Sequence, residues 1–186
     1  RETNLAAVMR TLRDKGDPVP ERLIKDLRSV MKEDLENCRG EVLDIGAGAG
    51  CHSLALQERG LKVTAIDPIP TAVDVMRRRG INDARCEDIY RFEGGPFDTA
   101  LMLGHGIGMT GDLDGLDRFL EKMHELIKPG GELLADSLDV SVSREPSNVA
   151  YRRANIEANR YRGEIRMRFE YGGQSGALMK WLHVDF

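Results

Sequence analysis

The sequence is short of several features that would narrow its role, and each shortage excludes something. Only 3 of its 186 residues are cysteine. Cys38, Cys51 and Cys86 are odd in number and widely separated, which argues against a disulfide framework and against the close cysteine pairs of structural zinc sites. The four histidines, His52, His105, His124 and His183, have no spacing that joins them into a metal site. No run of about 18 apolar residues is present, so no segment reads as a membrane span. The opening residues Arg1, Glu2, Thr3 and Asn4 do not lead into an apolar stretch, and the expected setting is the reducing cytoplasm. Positive charge is in deficit as well: the formal net charge is −4, whereas a nucleic-acid-binding surface shows as a basic patch or stripe. The expected partner is a small molecule, with no nucleic acid and no membrane, and with homo-oligomerisation left open. Internal repeats and low-complexity tracts are lacking. The chain starts without methionine and stops after Val184, Asp185 and Phe186, which leads us to expect part of a longer gene product.

What is present is a hydrophobic fraction of 41%, enough for one sizeable core. Two helical stretches come first, Asn4 to Lys15 and Glu21 to Asn37, separated by Gly16, Asp17, Pro18 and Pro20. They define a helical cap over 1–40, with a substrate lid as the alternative reading. From Glu41 strands and helices alternate. Strands are expected at Glu41 to Ile45, Lys62 to Ile66, Asp83 to Cys86, Phe97 to Leu103 and from Glu132 to Asp136, and helices at Cys51 to Glu58, Thr71 to Arg79 and Leu113 to Lys128. Such alternation predicts a Rossmann-like three-layer αβα sandwich with a mainly parallel sheet over 41–140. The tail, 141–186, reads as a partly helical segment around Pro146 and Ser147, followed by an antiparallel hairpin of Glu164 to Tyr171 and Leu178 to Phe186.

The most informative segment is Glu41-Val42-Leu43-Asp44-Ile45-Gly46-Ala47-Gly48-Ala49-Gly50. A strand runs into a glycine-rich turn before a helix, which lets the backbone approach a ligand that a Cβ would block. A dinucleotide fingerprint needs glycine at the first, third and sixth positions, and the sixth here is Cys51. The spacing instead resembles the first motif of class I S-adenosylmethionine-dependent methyltransferases, and the resemblance runs from Glu41 to Asp139. It implies that Gly46, Ala47 and Gly48 lie against the amino-acid end of S-adenosylmethionine, with Asp44 facing its ammonium. Asp67 and Pro68, ending the second strand, match the ribose position, although an acidic residue there also suits a nicotinamide-binding fold. Asp88 and Ile89 match the adenine position, with a solvated loop carboxylate as the plainer reading of Asp88. Leu103 and Gly104 end the fourth strand, which in that family passes the transferable methyl. Lys128-Pro129-Gly130-Gly131 resembles the family's turn into the fifth strand.

Methyl transfer from a sulfonium asks mainly for alignment and a dry cavity, and needs a base only when the acceptor carries a proton. His105, in Gly104-His105-Gly106-Ile107-Gly108, is the candidate base, and a pocket-shaping histidine is the alternative. Asp136, Ser137 and Asp139 follow the fifth strand and face the same crevice in principle. Asp112, Asp114 and Asp117 read as charges favoured by a helix N-terminus. Arg152, Arg153, Arg160, Arg162, Arg166 and Arg168 form the one basic stretch, read first as a solvated face and otherwise as a site for an anionic acceptor. A complete methyltransferase sheet has seven strands, so the terminal hairpin either fills the last two places or is an insertion; we expect the insertion. The resemblance implies a small-molecule O- or N-methyltransferase. A non-catalytic cofactor-binding or interaction module is the alternative, and Cys51 counts against a nicotinamide oxidoreductase.

Overall fold

The computed structural model describes residues 35–184. Both expected N-terminal helices lie outside these residues, save for the last positions of the second. Five parallel strands form the central sheet: β1 (Glu41–Ile45), β2 (Lys62–Ile66), β3 (Ala84–Arg85), β4 (Phe97–Met102) and β5 (Ile127–Ala135), in the order β3-β2-β1-β4-β5. Helices α1 (Cys51–Glu58), α2 (Pro70–Arg78) and α3 (Leu113–Leu126) are the crossovers.

The central strands are continuous apolar runs because both faces are covered. Alternation divides them. Leu43, Ile45, Ile66, Ala100 and Met102 meet Phe119, Met123 and Leu126 of α3. Val42, Val63 and Leu101 point the other way, onto Leu56 of α1, and Ala65 joins Val73 and Met76 of α2. These two apolar layers make the expected three-layer sandwich. Leu120 of α3 is 45% exposed and lies off this apolar stripe. Asp112 caps α3, its carboxylate accepting from the Gly115 N–H at 2.9 Å and the Lys180 ammonium at 2.8 Å.

The largest departure from the expected boundaries falls between α3 and β5. The helix expected to reach Lys128 ends at Leu126, because Ile127 already pairs with Phe97. Pro129 and Gly130 then occupy an irregularity in β5, and regular pairing resumes at Thr99 with Glu132.

Beyond β5 come α4 (Pro146–Glu157) and a hairpin of β6 (Glu164–Met167) and β9 (Met179–Leu182), with the short β7 (Glu170–Tyr171) and β8 (Gln174–Ser175) towards its tip. This hairpin forms its own sheets and adds no strand to the central one. Leu182 is fully buried, and the buried Asn155 of α4 donates to the Glu164 carbonyl at 2.6 Å, tying the helix to the hairpin. No helix among the described residues is long and apolar enough to cross a membrane.

Candidate functional site

Strand β1 leaves the sheet at Asp44, whose side chain is turned by alternation to the α1 face and is 1% exposed. The Ser53 hydroxyl of α1 donates to its Oδ2. Burial pushes the Asp44 carboxyl above the usual carboxylate range, against the pull of Ser53 and of nearby His52, and the charge of Asp67 adds to the rise. A desolvated carboxylate held by one hydroxyl is costly to keep in a core, and a cationic ligand would offset that cost.

The turn that follows is fixed by backbone. The N–H groups of Gly46 and Ala47 donate to the Ile66 carbonyl at 2.9 and 3.0 Å, and Gly48 takes φ of 56°, which favours glycine. A Cβ on Gly48 would meet nothing within 4 Å, so the outer side of the turn is open. Asp67, 7% exposed, reaches across from β2: one oxygen accepts from the Gly48 N–H at 2.9 Å, the other from the Ile69 N–H at 2.8 Å. Each carboxylate oxygen retains acceptor capacity beyond those bonds. Pro68, the next residue, is exposed.

Asp88 is on the loop after β3, at the same end of the sheet, and is exposed. Its Oδ1 accepts from the Tyr90 N–H at 2.8 Å, a local turn, and its side chain is not bonded to the other two carboxylates. Ile89 buries its side chain in the core. The Cys86 thiol, 3.7 Å from the Pro68 carbonyl, keeps this loop beside the β2 end.

The loop after β4 carries half-buried Leu103, then Gly104 at φ 76° with open space where a Cβ would stand, then His105. His105 also has a positive φ, 61°, and begins a 3₁₀ turn over Gly106–Thr110. That turn folds back over the glycine turn, so that a Cβ on Gly46 would stand 3.3 Å from the Met109 methyl. Asp136, after β5, accepts from the His105 N–H at 2.8 Å, and its Oδ2 lies 3.2 Å from His105 Nδ1, close enough for an ion pair but without hydrogen-bond alignment. His183 packs edge-on against the His105 ring, with centroids 6.1 Å apart. His105 Nε2 and His183 Nδ1 are buried without a partner among the described residues. Burial, then the neighbouring His105, hold His183 below the ordinary imidazole range.

His183 also lines a cavity of about 590 Å³ bounded by the loop after β5, α4 and β6. Leu138, Val140, Val142 and Ile165 supply its apolar wall, and Arg152, Arg162 and Arg166 its cations.

Residues 42–131 match the family model described as a methyltransferase domain. A structure of an S-adenosylmethionine-dependent methyltransferase from Bacteroides fragilis, in complex with S-adenosyl-L-homocysteine, is 36% identical with a TM-score of 0.69, covering 83% of this chain and 62% of that one. Residues 42–131 thus form a domain of the class I, Rossmann-like S-adenosylmethionine-dependent methyltransferase type. A methyltransferase structure from Methanosarcina mazei is 22% identical with a TM-score of 0.60, over 77% of this chain and 72% of that one, and shares the fold. A ubiquinone biosynthesis O-methyltransferase of Xylella fastidiosa is 29% identical over 106 residues, 53% of this chain and 42% of the relative. The methyltransferase chain thus spans less than two thirds of the length of the Xylella and Bacteroides proteins. S-adenosylmethionine is the cofactor of this family. Sequence reasoning placed Asp44, Asp67, Asp88 and His105 on loops that the fold collects at one end of the sheet. No spacing links His183 to His105, and only the hairpin brings the two rings together.

Proposed function

We propose that the protein transfers the methyl group of S-adenosylmethionine to an oxygen or nitrogen of a small-molecule acceptor in the cytoplasm, within a core over 41–140 flanked by the 1–40 segment and by the helix and hairpin of 141–186. The carrying observation is the desolvated Asp44 carboxylate, hydrogen-bonded by Ser53 and making no ion pair among the described residues, beside a glycine turn whose outer side is open. These features suit the ammonium and the amino-acid end of the cofactor.

In this reading Asp44 receives the ammonium, and Gly46, Ala47 and Gly48 lie against the methionine end. Asp67 accepts the ribose hydroxyls beside Pro68. Asp88 accepts from the adenine amine, and the Ile89 N–H meets the ring. Leu103 and Gly104 bind the cofactor where the transferable methyl passes. When bound, the cofactor supplies a methyl group already activated on a sulfonium, so the protein has only to align the acceptor and exclude water. His105 takes the proton that the acceptor releases as its lone pair forms the new bond to carbon. With Nδ1 turned to Asp136, Nε2 is the atom that receives it, and Asp136 positions the ring. The thiols of Cys51 and Cys86, which form no disulfide among the described residues, suit a reducing compartment.

The test is a thermal-shift titration with S-adenosylhomocysteine, S-adenosylmethionine and NAD, followed by label transfer to hydroxyl and amine acceptors. The two adenosyl ligands are expected to raise the Tm by mass action and NAD to leave it unmoved. Stabilisation by NAD alone would sink the reading.

A further inference from the structure

The arginine-bearing cavity has a composition that the transfer chemistry does not explain. Three arginines and one carboxylate, Asp139, line it in a protein whose net charge is −4. Asp139 is engaged at its own turn, accepting from the Ser141 N–H at 2.8 Å. Arg152 donates to the Val140 and Ser143 carbonyls at 2.7 and 2.9 Å, which fixes a guanidinium at the wall, while the Arg166 side chain makes no hydrogen bond or ion pair with any described residue. Ser147 and Asn148 bring the first turn of the 12-residue α4 to the same wall, adding the positive end of a helix. An independent observation ties the cavity to the β4 loop: His183, 9% exposed, lines it and packs edge-on against the His105 ring, and its Nδ1 is buried without a hydrogen-bond partner among the described residues.

We propose that this cavity takes the acceptor, and that the acceptor is a small molecule bearing an oxyanion, a carboxylate or a phosphate, held by Arg166 and Arg152 while its apolar body rests on Val140, Val142 and Ile165. The proposal rests on the methyltransferase reading above and narrows its substrate class. A volume of about 590 Å³ suits a metabolite-sized molecule. Guanidinium groups favour planar carboxylates and tetrahedral phosphates alike through paired N–H donors. His183 is the member shared by cavity and reaction centre, so a molecule anchored at the arginines directs its far end towards His105.

The experiment is a thermal-shift and calorimetric titration of the full chain saturated with S-adenosylhomocysteine, using benzoate, phenyl phosphate and benzamide as probes. Benzoate or phenyl phosphate, whichever anion the site prefers, is expected to bind, benzamide not to, and binding to weaken as salt rises. Arg166→Gln is expected to weaken anion binding about tenfold, the scale of one charge-assisted contact, and to leave S-adenosylhomocysteine affinity unchanged. Arg166 is chosen over Arg152 because its side chain is exposed and holds no loop in place. Equal binding of benzamide and benzoate, retention of anion affinity in Arg166→Gln, or no anion binding by a protein that still binds S-adenosylhomocysteine would each overturn the proposal. Loss of S-adenosylhomocysteine binding in the unmodified protein would instead overturn the methyltransferase reading, so the two failures are told apart.

Discussion

Nδ1 of His105 stands 3.2 Å from Oδ2 of Asp136, and the other oxygen of the same carboxylate accepts the His105 backbone N–H at 2.8 Å. One carboxylate thus holds the main chain of His105 and lies beside its ring, and four predictions follow from this end of the sheet.

The first concerns His105. Its φ of 61° is a conformation that asparagine tolerates better than most residues, so His105→Asn keeps the backbone while removing the base. We expect kcat to fall about 10²–10⁴-fold, the usual worth of general-base assistance, with S-adenosylmethionine affinity little changed. Steady-state kinetics alongside calorimetric binding checks this. Unchanged kcat across the pH range would remove His105 from the chemistry.

Asp44 sets cofactor affinity against stability. Its folded-state carboxyl titrates above the unfolded value, mainly through burial, so the unfolded chain gives up its proton first as pH rises from the ordinary carboxylate range. In that window the folded state holds more protons, and stability falls as pH rises towards neutrality. Asp44→Asn, which can still accept from Ser53, is therefore expected to raise stability by about 1 kcal/mol at pH 7 while abolishing the Tm increase on adding S-adenosylhomocysteine. Urea denaturation and thermal shift measure the two effects separately.

His183 gives the opposite slope. Its imidazole is held below the ordinary range by burial and by His105, so below about pH 6.5 the unfolded state takes up a proton that the folded state resists. Stability should be full above that pH and decline as pH drops through it. Denaturation midpoints between pH 5 and 8 should show the loss in the natural sequence, and a shallower one in His183→Gln.

Gly108 supplies the fourth. A Cβ there would stand 1.9 Å from the Trp181 indole nitrogen, so Gly108→Ala must displace the hairpin or the 3₁₀ turn. Overpacking of this kind costs about 1–3 kcal/mol. Trp181 is the chain's 1 tryptophan, so its fluorescence reports the shift directly. An unaltered emission spectrum with full stability would show that the two elements are not tightly joined.

That Asp44, the glycine turn and Asp67 gather at one end of the sheet was legible in the sequence because these parts are local. Asp44 and Gly46 to Gly48 share one strand and one turn, and Asp67 closes the next strand, where alternation of apolar runs fixes the register. The hairpin was also readable as a hairpin, and its separation from the central sheet agrees with the expected insertion. The acceptor side was not readable in the same way. His183 meets His105 only because β9 packs its Trp181 on Gly108, and no periodicity in either segment encodes a contact over that separation. That Arg152 and Arg166 line one cavity was not legible either, because alternation along β6 says which residues share a side, and not that α4 stands opposite. The end of α3 was misplaced by two residues because pairing of Ile127 with Phe97, a long-range event, ended the helix before its proline and glycines did.

The seating of Trp181 on Gly108 gives the molecule a mechanical division of labour. The hairpin and the loop after β4 are riveted together there, and through Met109 the same 3₁₀ turn rests on the glycine turn. On the proposed reading, a substitution that shifts the rivet would be felt on both the donor and the acceptor side, whereas changes elsewhere along α4 or the hairpin would alter the acceptor side alone.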